Sequence, residues 1–257
     1  MLTLTNISYK VGNKTLLDNI SVVFAPGKLN LIIGPNGAGK STLVKVMSKQ
    51  LPPWSGHVQL DDRGISDYSL PELARIRAVL SQHTDIAFPL NVQQVVMMGR
   101  YPHFTGRPSQ KDKTACREAM RFFDVEGMAG RTYQTLSGGE KQRVQFARVL
   151  SQIWYPPDEG HRYLILDEPL AFLDVHYQFD FMQKLLELLR QQDMVIAGVV
   201  HDLNLAAKFG HHIVLLNQGK LLASGSREEV LTARNIETAY QVVPEIHRQN
   251  GGMHILF

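Results

Sequence analysis

The sequence predicts an α/β fold: a mostly parallel sheet, an N-terminal antiparallel β subdomain and an inserted helical subdomain. Three observations carry this. A Gly-rich loop, Gly34-Pro-Asn-Gly-Ala-Gly-Lys40-Ser41-Thr42, joins Leu29-Asn-Leu-Ile-Ile33, which reads as a short buried strand, to a helical pattern with Leu43, Val44 and Met47 on one face. Two further apolar runs, Tyr163 to Leu166 and Met194 to Val200, each end in polar residues. From Ala87 to about Gln152 the pattern turns helical and irregular, as expected of an insertion. The expected division is a core over about 1–86 and 159–225, a helical subdomain over about 87–158 and a C-terminal tail over about 226–257.

Residues Leu2 to Phe24 alternate as strands do, with Leu2, Leu4, Ile7, Ile20, Val22 and Phe24 apolar and Gly12-Asn13 as a turn. Pro26-Gly27 closes this section. Pro52-Pro53-Trp54-Ser55-Gly56 breaks the first helix, His57 to Leu60 alternates, Asp61 to Gly64 is a turn, and Ala78 to Gln82 reads as a short strand. Val92, Val95, Val96 and Gly99 suggest one helix, and Ala115, Ala119, Phe122 and Phe123 another, with a Gly-, Pro- and aromatic-rich loop from Gly99 to Pro108 between them. Leu136-Ser-Gly-Gly-Glu140 opens a helix through Val144, Ala147 and Leu150. Met182, Leu185, Leu186 and Leu189 place an amphipathic helix over Phe179 to Arg190. Ile213 to Leu216 and Leu221 to Ala223 form a hairpin through Asn217-Gln-Gly219; Arg227 to Phe257 is expected as a helix or two, then irregular.

Composition narrows the function classes. A length of 257 residues with 44% hydrophobic content suits one large domain, or a core with a subdomain. A net charge of +3 is too weak to argue for a nucleic-acid partner. The single Cys116 excludes an intramolecular disulfide framework and fits a reducing compartment. No basic region followed by a long apolar run marks a signal peptide at Met1, and no apolar run approaches the ~20 residues needed to span a bilayer. Work at a membrane is therefore expected from the side.

The loop matches the pattern G-x-x-x-x-G-K-S/T at every fixed position. Gly34, Gly37 and Gly39 let the backbone approach an anion closely. The loop N–H groups and the helix N-terminus supply positive ends of dipoles. Gly34, Pro35, Asn36, Gly37, Ala38, Gly39, Lys40, Ser41 and Thr42 are thus expected to hold nucleotide phosphates, with Lys40 at the β- and γ-phosphates and the Ser41 hydroxyl on Mg²⁺. Gln82, Asp167-Glu168 and His201 stand at strand ends, where parallel α/β sheets place their ligands. Asp167 is expected to bind Mg²⁺, Glu168 to orient or deprotonate the attacking water, and His201 to hydrogen-bond the γ-phosphate. Ser137, Gly138 and Gly139 precede a helix and make a second anion site, which suggests two copies related by a twofold axis, each capping the other's nucleotide.

In this order the motifs closely resemble the ATP-binding cassette proteins of ABC transporters, over nearly the whole chain. Gly34 to Thr42 matches Walker A, Leu136 to Glu140 the family's LSGG signature, Tyr163 to Glu168 Walker B, Gln82 the Q-loop and His201 the switch histidine. The resemblance implies a P-loop NTPase core, with Tyr9 stacked on adenine. It also implies two cassettes clamping two ATP, with Ser137 and Gly139 at the partner's γ-phosphate. Gln82 then joins Lys40, Glu168 and His201 in the catalytic set and Ser41 and Asp167 at the metal. One departure follows Pro169: Leu170-Ala-Phe172-Leu-Asp174 keeps the family's dimer-contact aspartate, Asp174, beside bulkier neighbours.

Val95-Val-Met-Met-Gly-Arg-Tyr-Pro-His103 resembles the cassettes of importers for iron siderophores, haem and cobalamin, and the loop from Ile153 to Arg162 resembles an extension of the haem-import members. The implied partners are a second copy and a membrane permease dimer at the cytoplasmic face of the inner membrane. A periplasmic binding protein is implied indirectly, and nucleic acid is not. In this family the cassette does not touch the cargo, so His161, His211 and His212 are surface histidines and not evidence for haem binding. A soluble cassette ATPase of DNA repair would need a long coiled coil, and a ribosomal one two cassettes; a P-loop kinase would lack the signature.

Overall fold

The computed structural model describes residues 1–81, 86–171, 173–190, 193–249 and 252–257. Strands β1 (Leu2–Val11) and β2 (Lys14–Phe24) form the antiparallel hairpin that their alternation predicts, turning at Gly12-Asn13. Leu2, Leu4 and Ile7 on β1 and Leu17, Ile20 and Phe24 on β2 are fully buried, so one face of the hairpin is core. Strand β3 (Leu29–Ile33) leads through the Gly-rich loop into helix α1 (Lys40–Met47). Strands β4 (Ser55–Leu60) and β5 (Arg63–Gly64) complete an antiparallel sheet in the order β2-β1-β4-β5.

Helix α2 (Leu70–Ile76) precedes β6 (Arg77–Leu80) and is absent from the sequence reading. Its start is set by a reciprocal cap: Ser69 Oγ accepts the Glu72 N–H, and Glu72 accepts the Ser69 N–H. Between β6 and β7 (Arg162–Leu166) come α3 (Val92–Met98), α4 (Gln110–Phe122) and α5 (Gly138–Gln152), the helical insertion the periodicity predicts. Helix α6 (Val175–Leu189) starts earlier than its apolar stripe suggests, because Asp174 caps it by accepting the Tyr177 N–H. Then follow β8 (Met194–Val199), α7 (Leu203–Phe209), β9 (His212–Asn217), β10 (Lys220–Gly225), α8 (Arg227–Val230) and α9 (Ala233–Tyr240). The end of the chain corrects the expected irregular tail: β11 (Glu245–Gln249) and β12 (Gly252–Leu256) pair antiparallel. The Asn204 side chain holds this hairpin on α7, donating to the Ile255 carbonyl at 3.0 Å and accepting the Ile255 N–H at 2.8 Å.

The main sheet runs β10-β9-β3-β8-β7-β6, parallel from β9 to β6, with β10 antiparallel at its edge. Strands β3, β7 and β8 are buried on both faces, which explains their largely apolar sequences, interrupted by the buried Asn30 of β3 and Arg162 of β7. Alternation divides the core. Leu29, Leu31 and Ile33 of β3 face one apolar cluster with the helical insertion, α6 and α7; Ile32 faces another with α1 and the antiparallel sheet. Phe146 and Phe181 stack at 3.9 Å in the first, joining α5 to α6. Among the described residues no helix is long and apolar enough to cross a membrane.

Two polar ties fix the insertion. Arg100 and Asp112 form an ion pair at 3.0 Å with both side chains 4% exposed. Burial on this scale is tolerable because both ions make further hydrogen bonds: Arg100 also donates to the Ser151 carbonyl, and Asp112 closes the cap of α4 with Ser109. The loop from Ile153 to Arg162 is stitched on both sides. Trp154 Nε1 donates to Glu118 at 2.7 Å, Arg162 pairs with Asp193 at 2.7 Å, and His161 Nδ1 lies 2.7 Å from Asp61.

Candidate nucleotide-binding site

The Gly-rich loop sits at the carboxyl end of β3, wedged between β9 and β2. Gly34 has φ of 147°, and a Cβ there would fall 2.3 Å from the Leu216 carbonyl oxygen. Gly39 has φ of 99°, and a Cβ there would meet the Leu16 carbonyl oxygen at 2.8 Å and Leu17 Cδ2 at 2.9 Å. Any larger residue at either position would push the loop off its neighbours. Within the loop Ala38 is buried and its N–H donates to the Pro35 carbonyl, while Asn36 and Gly37 are exposed.

Helix α1 is the exception among the helices described. Each of α2 to α9 has a Ser, Thr, Asn or Asp side chain accepting an N–H of its first turn. Helix α1 begins at Gly39 with no side-chain cap, so Lys40, Ser41 and Thr42 open it with donors that no cap satisfies. Lys40 is 5% exposed, and its ammonium donates to the Gly34 carbonyl at 2.8 Å and the Pro35 carbonyl at 3.0 Å. Burial lowers its pKa, against the opposing pull of Glu168 and Asp167. A buried cation and uncapped helix donors together form an anion-binding cradle.

Asp167 and Glu168 follow β7 directly and diverge. Asp167 is buried and accepts a hydrogen bond from Ser41 Oγ at 3.2 Å. Desolvation pushes its carboxyl pKa up, with Glu168 adding to the rise and Ser41, Lys45 and Lys40 opposing it. Glu168 adopts φ of 51°, the left-handed region that a non-Gly residue rarely occupies, and this turns its side chain toward β8. There Glu168 Oε1 lies 2.8 Å from His201 Nε2. Glu168, His201, Gln178 and Asp202 line a cavity of about 170 Å³. Hydroxyl, buried carboxylate and buried ammonium suit a divalent cation bound to phosphate: oxygen donors for a hard ion beside a cation for the anion's remaining charge.

The other predicted residues divide. Tyr9 is half-buried on β1 and packs against the cluster that contains Leu17 and Ala38 of the loop's underside. Gln82 lies outside the described residues, as does Phe172. Ser137, Gly138 and Gly139 open α5 at the surface. Ser137 Oγ accepts the Glu140 N–H, and Glu140, paired with Arg131 at 3.0 Å, accepts the Ser137 N–H. Among the described residues, the hydrogen bonds of Ser137 stay within this cap and none reaches the phosphate loop of its own chain. Sequence reasoning missed Gln142, whose amide donates to the Pro169 carbonyl at 2.8 Å and joins α5 to the segment after Glu168. It also missed Gln178 beside Glu168 and His201; no local pattern marks either glutamine.

A phosphate loop closing a central parallel strand, with an acidic strand end beside it, defines a P-loop NTPase fold. More narrowly, the chain belongs to the ABC transporter family, whose model matches residues 17–171. It is 40% identical over 240 residues to the hemin import ATP-binding protein HmuV of Escherichia coli O157:H7, covering 93% of this chain and 92% of that one. It is 42% identical to the HmuV of Gloeobacter violaceus, covering 93% and 87% of the two chains. Among solved structures, a metal-chelate-type ABC transporter in an inward-facing conformation matches with a TM-score of 0.83 at 21% identity, covering 99% of this chain and 96% of that one. The dimeric structure of a bacterial ABC transporter cassette matches with a TM-score of 0.75 at 26% identity, covering 88% and 98%.

Proposed function

We propose that this chain is the ATP-hydrolysing subunit of an ABC importer for haem. Two copies sandwich two ATP and drive a membrane permease dimer from the cytoplasmic face of the inner membrane. Likeness to hemin import ATP-binding proteins along nine-tenths of the chain carries this reading. Residues 34–42 cradle the phosphates, Lys40 swings from its two carbonyl partners to the β- and γ-phosphates, and Tyr9 stacks on adenine. Ser41 and Asp167, together with Gln82, would hold Mg²⁺, which when bound offsets the phosphate charge. Glu168 orients the attacking water and takes its proton, while His201, at hydrogen-bond distance from Glu168, reaches the γ-phosphate. Ser137, Gly138 and Gly139 cap the nucleotide of the opposite copy, and Asp174 lies at the contact between copies. Their surface position, with no bond to the loop of the same chain, supports a composite site.

The cargo is tested in a reconstituted complex of this chain with its permease and binding protein. ATP turnover is compared with haem, a ferric siderophore or cobalamin loaded on the binding protein. Haem is expected to give the largest stimulation. Equal or greater stimulation by another cargo would overturn the haem reading and leave the ATPase reading intact.

A further inference from the structure

A cleft of about 470 Å³ opens between α6, α7 and the β11–β12 hairpin. Its apolar wall is Phe179, Leu205 and Met253; its charged rim is Lys208, Arg227 and Asp202. Asp202 and Leu205 also line the smaller cavity that holds Glu168 and His201. The two spaces therefore share a wall made of Asp202 and Leu205, and Asp202 is the residue after His201.

The charges around the cleft are unequally compensated. Asp202 is occupied as the cap of α7, with one oxygen accepting the N–H groups of Asn204 and Leu205. Arg227 is held by Glu228 and the Ala207 carbonyl. Lys208 differs: among the described residues its ammonium is recorded only over rings, 4.6 Å from the centroid of Phe179 and 5.7 Å from that of Phe209. A cation seated on aromatic faces beside an apolar hollow is matched by an anionic group on a flat apolar body. Neither Lys208 nor Arg227 lines the cavity that holds Glu168 and His201.

We propose that this cleft binds a small amphipathic anion, a carboxylate or sulfonate on a planar apolar body, and that its occupancy alters ATP turnover through Asp202. The anion would sit at Lys208 with its apolar body between Phe179 and Met253. A ligand there bridges α7 to the hairpin that Asn204 already holds, and so bears on the segment carrying His201.

The probe is 8-anilinonaphthalene-1-sulfonate, titrated into the full chain with fluorescence and ATP turnover read together. A single saturable site with blue-shifted emission is expected, with turnover changing at least two-fold over the same concentrations. Lys208→Glu should weaken binding by at least ten-fold, and Met253→Trp, which fills the cleft, should abolish it. Both variants should keep basal turnover. Fluorescence binding that survives in both variants would place the dye elsewhere and overturn the site. Saturable binding at the cleft with flat turnover would overturn the coupling. Lys40→Ala separates this proposal from the ATPase reading, because dye binding should persist there even though turnover is lost.

Discussion

His201 Nε2 stands 2.8 Å from Glu168 Oε1, and the two side chains are delivered by different strands, β8 and β7. Asp167, one residue earlier, points the other way, to Ser41. Adjacent carboxylates thus have separate surroundings: one buried beside the phosphate loop, the other at the mouth of a small cavity with a histidine.

This divergence predicts different defects. Glu168→Gln should retain ATP binding and lose turnover by ~10²–10⁴-fold, the usual effect of removing a general base. Asp167→Asn should weaken Mg-ATP binding itself. Affinity and turnover measured side by side decide the matter, and matching defects would mean the proposed roles are wrong.

Lys40→Ala should abolish turnover with an unchanged circular dichroism spectrum, because the proposed role of the ammonium is at the phosphates and its bonds in the free chain are to the Gly34 and Pro35 carbonyls. Wild-type turnover in a folded Lys40→Ala protein would sink the phosphate-loop assignment.

The surface placement of Ser137 predicts ATP-dependent pairing. With hydrolysis blocked by Glu168→Gln, ATP should shift the chain from monomer to dimer in sedimentation velocity, and an added Ser137→Arg should prevent the shift. Sedimentation that ignores ATP would count against the composite site. In a dimer mixed from a Lys40 variant and a Ser137 variant, one site carries both defects and the other neither, so turnover should recover on mixing.

The segment from Tyr101 to Arg107 should touch the membrane partner. Tyr101 is 60% exposed and meets Phe104 edge-on, and both line a groove of about 540 Å³ with Leu70, Pro71 and Arg75. Arg75 anchors the segment by donating to the Pro102 carbonyl at 3.0 Å. Cysteines placed from Tyr101 to Arg107 should crosslink to cytoplasmic segments of the permease. Crosslinks confined to other faces would exclude this route.

His211 predicts a pH dependence of stability. Its Nδ1 accepts the Leu29 N–H at 3.0 Å, so that nitrogen must be unprotonated in the fold. Desolvation, then the Lys28 charge, lowers its pKa below the ordinary histidine value of 6.5. Between that lowered value and 6.5 the unfolded chain binds more protons than the folded one. The stability is therefore present above 6.5 and is lost as pH falls through the window. The wild-type urea midpoint should be lower at pH 5.5 than at pH 7.5, and His211→Asn, which keeps an acceptor without titrating, should narrow the gap. An unchanged gap would assign the pH dependence to other groups.

Much of this was legible in the sequence because its cause is local. The phosphate loop is a contiguous backbone device, the buried strands declare themselves by short, largely apolar runs, and β1 and β2 by alternation. Helix α2 was missed because it is short and its one clear signal, the Ser69–Glu72 cap, lacks a long apolar stripe behind it. The β11–β12 hairpin was missed because Glu245 to Leu256 mixes polar and apolar residues, and its register is fixed by Asn204 on a distant helix. The Glu168–His201 contact depends on the left-handed turn at Glu168 and on the pairing of β7 with β8, neither of which a strand-end carboxylate announces.

The missing cap on α1 has a consequence for the lifetime of the protein. On the proposed reading a bound triphosphate does for α1 what serine does for α5, and it does so only in the native state. Linkage then makes nucleotide occupancy a determinant of survival: at free nucleotide a hundred-fold above its dissociation constant, the native state gains about 2.7 kcal/mol. Loss of the bound nucleotide would raise the unfolded fraction by about a hundred-fold and expose the chain to proteases, so an emptied cassette would be the shorter-lived one.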